Sequence, residues 1–554
     1  MIHIRWQALI AVLGIVFLGT LLGYLAFSFS TVEEPDYGGT YVEGIAGQPN
    51  AVNPLFSQYN TADRDLASLI FNGLTRVDET GAVKPDLARK WEMSPDGLVY
   101  TFTLRSDVQW SDGAPLSADD VLYTIQTIQS SDYAGPSYIA DLWRTVAITA
   151  VNPSAVRMQL SEPFAPFLDF TTIGLVPAHS LKDIAAGELP QAAFNRHPIG
   201  TGPFVLDDLS ADHATLSPNP LYTGPRTYLG NLVFKFYPDA ESLLAAFGRG
   251  EIEGISQVSP DNIAQVRDNH ALKLYNARLA AYSLVFLNLD KPQFAQKEVR
   301  QALSYAIDRQ SLIDNIVNGL GKPGYGPIVS NSWAYDPELK KYDYNPDKAR
   351  ALLDAAGWKD TNGDGVRQKG NDQLAFTLMT NSEDDSRVKI AQQLAQEWNA
   401  IGAKVDVKTV PAASLIQDNL RPRDFDAVLF ALGPLPADPD PYPLWNSSQT
   451  PTQSNAGQNY GGWKNPTVDV ILEEARRSND QSHRVELYRQ FQAIFSDQVP
   501  ALILYYPVYT YAVDARIHGI QLSPMLDPSD RFWSISQWYL KTKRVIVSES
   551  KSQP

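Results

Sequence analysis

Hydrophobic and polar positions are spaced differently in successive parts of this chain, and each spacing predicts a local element. Apolar residues alternate with more polar ones over 98–104, as on a half-buried strand, and the Ser-Pro-Asp-Gly at 94–97 predicts a turn before it. Ahead of that turn, a helix-like segment ends at Trp91. Ser117 and Asp120 have the spacing of an N-cap and its acidic partner, followed by apolar residues at helical spacing.

The rest of the chain alternates between helix and strand signals. Asn345 is placed to cap a helix that Pro346 begins and Gly357 ends. Further helical spacing occupies 299–307 and 388–401, and strand-like runs occupy 374–378, 405–407, 425–430, 507–520 and 531–540. Alternation of this kind predicts an α/β fold.

The first apolar segment differs from all the others in length. After Arg5, no charged residue appears until Glu33, so residues 6–29 are long enough to cross a bilayer core of about 30 Å. Positive charge before the segment and acidic residues after it place the N-terminus inside the cell. We predict an uncleaved transmembrane anchor over 6–29 and a linker over 30–39. Removal as a signal peptide is the alternative, although Ala26-Phe27-Ser28 is a poor exit site.

Composition limits the class of protein. The 554 residues exceed a single compact core, so two or three structural units are expected. The formal net charge of −16 disfavours nucleic acid as a partner. The absence of cysteine excludes disulfides, thiol nucleophiles and thiolate metal sites.

Signals for catalysis are weak. The seven histidines are dispersed, and neither an HExxH pair, a GxSxG elbow nor a phosphate-binding loop is present. A carboxylate pair of the glycosidase type stays open as an alternative, because acidic residues are numerous. We predict a protein that is not an enzyme and that needs no cofactor.

One segment has the pattern of half a calcium loop. Asp360, Asn362 and Asp364 supply oxygen atoms at alternate positions, and Gly365 permits a sharp turn. The bidentate Glu of such loops is missing, because Asn371 stands at the twelfth position. Calcium is therefore one interpretation, and a polar turn without metal is the favoured one.

Four segments together point to a family. The first is the ordered series of turns, strand and capped helix over 84–128, and the second is the Gly-rich PIGTGPF at 198–204. The helix-bearing segment 287–322 and the Asp-Pro-Asp turn within 425–445 complete the set. As a series they resemble the large peptide-type solute-binding proteins of ATP-driven importers, known as solute-binding family 5. The resemblance covers nearly everything after Tyr37.

The resemblance implies a two-lobed, periplasmic-binding-protein-like α/β fold of type II, from the large cluster with an extra subdomain. The units expected behind the transmembrane helix are a first lobe over 40–279 with a subdomain inserted at about 75–197, a second lobe over 280–504, a return to the first lobe over 505–540 and a tail over 541–554. The hinge is expected near Leu279 and Leu504.

The resemblance also implies where a solute binds. The expected binding residues are Tyr59, Asn60 and Thr61 on the first lobe, Phe430, Ala431, Leu432, Leu435, Asp438, Trp445, Asn459, Tyr460 and Trp463 on the second lobe, and Tyr282 and Tyr505 at the crossings. Peptide-binding relatives hold the peptide's ammonium with an Asp at the position where this chain has Leu435. Asp438 or Asp440 is an alternative partner, and a solute without an amine is another.

The function expected from the resemblance is extracytoplasmic capture of a peptide-like solute, with lobe closure and delivery to the transmembrane subunits of a permease. An oligosaccharide solute and a ligand-sensing module without a transport role are the alternatives. We expect a membrane-anchored monomer with its globular part on the outer face or in the periplasm.

Overall fold

The structure, a computed structural model, describes residues 2–454 and 457–546; the side chains of 2–5, 7, 8 and 25–29 are outside this description. It begins with a long helix, α1 (Ile2–Ser30), in which Trp6 and the side chains over 9–24 are exposed. Within the described part of the chain, no helix is both long and apolar enough to cross a membrane. The anchor over 6–29 therefore stays a prediction.

The first lobe carries an inserted subdomain. The lobe begins with β1 (Thr31–Asp36), β2 (Thr40–Ala46) and α2 (Thr61–Ile70). The subdomain follows with β3 (Thr75–Val77), β4 (Val83–Pro85), β5 (Ala88–Met93), β6 (Val99–Leu104), α3 (Ala118–Gln129), α4 (Ser137–Trp143), β7 (Val146–Asn152), β8 (Ala155–Leu160), α5 (Phe167–Phe170) and α6 (Ala178–Leu181). Its main sheet has the antiparallel order β5-β6-β8-β7.

Two local predictions in the subdomain are confirmed, and a third is wrong. The strand predicted over 98–104 is β6, with Phe102 buried, and Ser117 and Asp120 form a capping box at the start of α3. The helix predicted to end at Trp91 is wrong, because that residue lies in β5. It pairs with Phe102 on the neighbouring strand, at 6.4 Å between the ring centroids, so a non-local partner fixes the conformation.

Further along, the first lobe resumes and the second lobe follows. The first lobe adds β9 (Phe204–Leu209), β10 (His213–Pro218), β11 (Asn231–Tyr237), α7 (Ala240–Gly248), β12 (Gly254–Ile255), α8 (Ile263–Arg267) and β13 (Leu272–Arg278). The second lobe contains β14 (Tyr282–Leu287), α9 (Lys297–Tyr305), α10 (Arg309–Asn315), β15 (Gly321–Pro323), α11 (Pro346–Ala355), β16 (Gln368–Lys369), β17 (Asp372–Gln373), β18 (Ala375–Asn381), α12 (Asp385–Asn399), β19 (Lys404–Val410), α13 (Ala412–Ser414), β20 (Ala427–Leu432), α14 (Tyr442–Trp445), α15 (Pro466–Arg477) and α16 (Gln481–Gln498).

One strand belongs to both lobes. The 14-residue β21 (Ala501–Asp514) pairs with β14 near Tyr505 and with β13 near Tyr511, so a single sheet runs from one lobe into the other. Its main path has the order β19-β18-β20-β14-β21-β12-β2-β11-β10-β9. One hydrophobic core fills most of the first lobe, and the sheet of the second lobe has a separate core on each face.

The C-terminal segment differs from its predicted form. Residues 528–537 form a 3-10 helix, Pro528–Gln537, where strand-like spacing was predicted at 531–540. Asp527 and Asp530 make a capping box at its start, and this local bonding outweighs the alternating pattern. Residues 541–546 form β22 (Lys541–Ile546), which pairs antiparallel with β1. The two-stranded ribbon of β1 and β22 lies where a linker (30–39) and the start of a tail (541–554) were predicted. Residues 547–554 of the predicted tail lie outside the described residues.

Candidate functional site

A cavity of about 70 Å³ lies where the two lobes, the inserted subdomain and the C-terminal segment meet. Its walls come from all four parts of the chain. They include Asp78 of the subdomain, Ala280 at a crossing between the lobes, Trp333 and Ala437 of the second lobe, and Asp530 and Trp533 of the C-terminal segment. A group held in this cavity therefore contacts both lobes at once.

The carboxylate of Asp530 is fixed at the cavity wall by its own helix. Its Oδ2 accepts hydrogen bonds from the backbone nitrogens of Leu526 (2.8 Å) and Asp527 (2.9 Å). Among the described residues, no group donates a hydrogen bond to Oδ1. Burial raises the pKa of Asp530 to about 6, and the two backbone donors offset part of that shift.

Asp78 is the other acidic residue of the cavity, and it is already engaged within its own turn. Its Oδ1 accepts hydrogen bonds from the backbone and the hydroxyl of Thr80 and from the backbone of Ala82, and Lys84 lies 3.6 Å from Oδ2. Although partial burial acts in the opposite direction, these donors hold the pKa of Asp78 below its usual value.

Two tryptophans give the cavity aromatic walls. Trp333 is partly buried and lies against the guanidinium of Arg484, with 5.0 Å from the guanidinium carbon to the ring centroid. Trp533 is 37% exposed and comes from the 3-10 helix that also carries Asp530. Indole rings offer flat apolar faces with a negative potential, which suits both apolar and cationic groups.

A buried charge cluster holds that 3-10 helix in place. Arg531 is fully buried, with its Nε 3.0 Å from Glu43 and its Nη1 2.8 Å from Asp65. The hydroxyls of Tyr41 and Tyr511 also donate to Glu43. Burial raises the pKa of Glu43, and Arg531 with the two hydroxyls offsets part of that shift. Because Arg531 follows Asp530 directly, the cluster fixes the backbone at the cavity wall.

The segment around Leu435 borders the cavity without a charge. The backbone nitrogen of Leu435 donates to the carbonyl of Ala280 at 2.8 Å, and its side chain packs on the second-lobe core. Phe430, Ala431 and Leu432, at the end of β20, are partly buried and pair with β14. These residues lie near the cavity but are not part of its wall.

The two aspartates that follow Leu435 are held by arginines. Asp438 makes a two-point ion pair with Arg484, one of whose contacts is 2.7 Å, and Asp440 lies 3.0 Å from Arg476. Both carboxylates are thus engaged by arginine side chains. The alternative partners predicted from the sequence are therefore already used inside the second lobe.

Several predicted binding residues lie in the core instead of facing the cleft. Trp445 is 2% exposed and packs against Phe495 at 4.8 Å between ring centroids, and Trp463 packs beside it. Asn459 is buried and bonded to the backbone of Trp463. Tyr460 stacks edge-on against the core residue Phe286. Large apolar rings bury most area in a core, and a role of these residues in solute binding stays a prediction.

The remaining predicted residues lie in separate places. Tyr59 is 76% exposed, Asn60 caps α2 by accepting from Asp63, and Thr61 is the first residue of that helix. Tyr282 is fully buried in β14, and Tyr505 is partly buried in β21. None of these five lines the cavity described above.

The loop that resembled half a calcium site is bonded to itself. Asp360 accepts from the backbone nitrogens of Gly363 (2.7 Å) and Gly365 (2.9 Å), and Asp364 accepts from Val366 (2.8 Å) and from the amide of Asn362 (2.9 Å). Within the described residues, no group of three or more acidic, histidine or cysteine side chains is placed to hold a metal ion.

Comparison with known proteins defines the class. Residues 82–454 match the family described as bacterial extracellular solute-binding proteins, family 5. The chain is 31% identical to the oligopeptide-binding protein AppA of Bacillus subtilis (strain 168), over 92% of each chain. It is 28% identical to the dipeptide-binding protein of Escherichia coli (strain K12), over 88% of this chain and 92% of that protein. The solved structure of AppA with a nonapeptide superimposes with a TM-score of 0.74 at 29% identity, over 92% of this chain and all of that one.

The chain belongs to family 5 of the bacterial extracellular solute-binding proteins. The two-lobed α/β fold predicted from the resemblance is confirmed. Trp333, Asp530 and Trp533 of the cavity wall were not among the predicted residues. The Asp-Pro-Ser-Asp at 527–530 was the available signal, because it has the spacing of a capping box.

Proposed function

We propose that this protein is the extracytoplasmic solute-binding component of an ATP-driven importer and that its solute is peptide-like. The observation that carries the proposal is the cavity walled by both lobes and by the crossing residue Ala280. Membership of the family and the peptide-binding names of two relatives support the same function.

Closure of the lobes over the solute is the proposed mechanism. A solute in the cavity contacts both lobes only when they are together, so binding shifts the population toward the closed form. The permease subunits then recognise that form. The lobes meet at several polar contacts besides the cavity, among them Arg477 with Glu162 at 3.0 Å.

An anchored location completes the proposal. A monomer held by α1 at the outer face of the membrane stays close to its permease, and the exposed apolar side chains of Trp6 and 9–24 support this role for the helix. Retention of the helix in the mature chain is part of the proposal.

Labelled double-cysteine variants test lobe closure. The chain has no cysteine, so Val151→Cys in the subdomain and Val470→Cys in the second lobe introduce the only two thiols. Both positions are exposed, at 51% and 62%. We expect the mean distance between the spin labels to shorten, or the distribution of distances to narrow, when a mixture of peptides of two to nine residues is added. The pair Val470→Cys and Val485→Cys lies within the second lobe and serves as the control. A distance between the lobes that stays the same at saturation contradicts the mechanism.

Mass spectrometry of material that copurifies with the protein identifies the solute class directly. Peptides support the proposal, whereas oligosaccharides would assign the other solute class that the sequence left open.

A further inference from the structure

We propose that Asp530 binds a cationic group of the solute, with the ring of Trp533 beside it. The inference rests on the proposed function and names the chemistry that the cavity selects. The group is a primary ammonium, which in a peptide-like solute comes from the N-terminus or from a lysine side chain.

The first support is the unequal use of the two oxygens of Asp530. Oδ2 accepts two backbone hydrogen bonds, which fix the carboxylate in one orientation. Oδ1 accepts none from the described residues, although the side chain lies in the cavity wall. A fixed carboxylate with an unused oxygen is suited to a charge-assisted hydrogen bond with a solute.

The second support is the charge of the cavity wall. The wall contains the acidic residues Asp78 and Asp530 and no lysine, arginine or histidine. Arg531, which follows Asp530, pairs with Glu43 and Asp65, and Arg484, which lies against Trp333, pairs with Asp438. Among the described residues no cation pairs with Asp530, so a cation entering the cavity meets the charge of that carboxylate.

The third support is the position of Asp530 relative to Leu435. The backbone nitrogen of Leu435 donates to Ala280, the backbone nitrogen of Ala280 donates to Met525 at 2.7 Å, and the next residue, Leu526, donates to Asp530. These bonds connect the two positions across the cavity wall. The charge that the second lobe lacks at Leu435 is thus supplied by the C-terminal segment of the first lobe.

The ring of Trp533 and the volume of the cavity agree with a small cation. An ammonium beside an indole face gains cation–π attraction, and the effect is largest where water is excluded. The cavity of about 70 Å³ exceeds the space that a single water molecule needs, so it has room for an ammonium group. Burial also raises the pKa of Asp530 to about 6, and a bound cation lowers it again. Asp530 is then ionised at neutral pH, as the proposal requires.

Calorimetric titrations of the full-length, detergent-solubilised protein test the proposal. The probes are trialanine, N-acetyltrialanine and N-acetyl-Ala-Lys-Ala, so the two sources of ammonium are separated from the uncharged peptide. We expect wild-type protein to prefer at least one of the amine-bearing probes over N-acetyltrialanine by more than tenfold. Asp530→Asn keeps an oxygen for the two backbone donors and removes the charge, so it should abolish that preference.

Two further variants separate charge from folding. Asp78→Asn removes the other carboxylate of the cavity. It should leave the preference for amine-bearing probes within about twofold of the wild-type value, because Asp78 is already bonded in its own turn. Trp533→Leu replaces an exposed aromatic ring and should lower the affinity for the amine-bearing probe by about three- to tenfold. A preference that falls by this factor in Trp533→Leu supports the site even if Asp530→Asn folds poorly.

The outcomes distinguish this proposal from the proposed function. If wild-type protein binds all three probes equally, the peptide function stands and the role of Asp530 is overturned. A preference that survives in Asp530→Asn overturns the proposal as well. If none of the probes binds although the peptide mixture closes the lobes, the peptide function stands and the inference is overturned. If neither the probes nor the mixture binds, the peptide function fails, and the inference fails with it.

Discussion

The backbone nitrogen of Asp438 donates a hydrogen bond of 2.7 Å to the Oδ2 of Asp169, and this bond joins the second lobe to the inserted subdomain. Burial at this contact raises the pKa of Asp169 to about 7, and the donated hydrogen bond offsets part of the shift. The charge of Asp438 raises the pKa further, whereas the backbone of Ala437 and the charge of Arg484 lower it. A carboxyl group that titrates near neutral pH thus lies at a contact between the lobes.

Association of the lobes should depend on pH through Asp169. When the lobes separate, water reaches Asp169 and its pKa falls toward the usual value of about 4. Closing therefore takes up a proton, so acid favours the closed form and the effect levels off above about pH 7. Without solute, the labelled pair at positions 151 and 470 should report a larger closed fraction at pH 5.5 than at pH 8.

Two substitutions of Asp169 separate its charge from its hydrogen bond. Asp169→Asn keeps an acceptor for Asp438 and should make the closed fraction independent of pH. Asp169→Ala removes the acceptor and should lower the closed fraction at both pH values. An unchanged pH response in Asp169→Asn would show that another group titrates at the contact.

The buried cluster around Arg531 should be essential for stability. Arg531→Met leaves Glu43 and Asp65 without a countercharge in a fully buried site, which costs about 3–5 kcal/mol of unfolding free energy. Arg489→Met removes the exposed pair with Glu486 and should leave the free energy of unfolding nearly unchanged, because solvent screens that pair. Urea unfolding measures both. Equal effects of the two substitutions would contradict the assignment of a compensating role to Arg531.

Trp445 should be needed for folding more than for binding. Trp445→Ala removes a ring that packs against Phe286, Trp463 and Phe495, and it should lower the unfolding free energy by about 3–5 kcal/mol. Trp533→Ala, at a 37% exposed ring, should cost much less. Denaturant unfolding gives both values. If Trp445→Ala instead stays stable and binds solute more weakly, Trp445 contacts solute, as the sequence predicts.

The N-terminal helix should remain on the mature protein. Tryptic digestion of membrane fractions should yield the peptide that begins at Trp6, after Arg5. A soluble chain that begins near Ser28 would instead indicate cleavage.

Local signals predicted much of the fold, because they depend on neighbours in sequence. Asn345 caps α11 through the backbone nitrogen of Lys348, and the helix expected over 388–401 is α12. Trp91 was misassigned because its strand is defined by pairing with β6, and the ribbon of β1 and β22 joins segments from opposite ends of the chain. Spacing cannot reveal such partners.

The candidate site was predicted less well for a different reason. In the sequence, a tryptophan of the core such as Trp445 looks the same as a tryptophan of the cavity wall such as Trp333. Only the packing in the folded protein distinguishes the two positions. In the sequence, Asp530 has only the spacing of a capping residue, and its place in the cavity wall depends on the fold. The family resemblance pointed to the second-lobe segment near Leu435, whereas Asp530 lies in a segment that the resemblance did not single out.

The shared strand β21 has a consequence for dissecting this protein. Residues near Tyr505 complete the sheet of the second lobe, and residues near Tyr511 complete that of the first. A fragment that ends before Ala501 deprives both sheets of a strand, even though it contains nearly every other element. Neither lobe can therefore be produced as an intact half by a single cut, and the two should denature together as one cooperative unit.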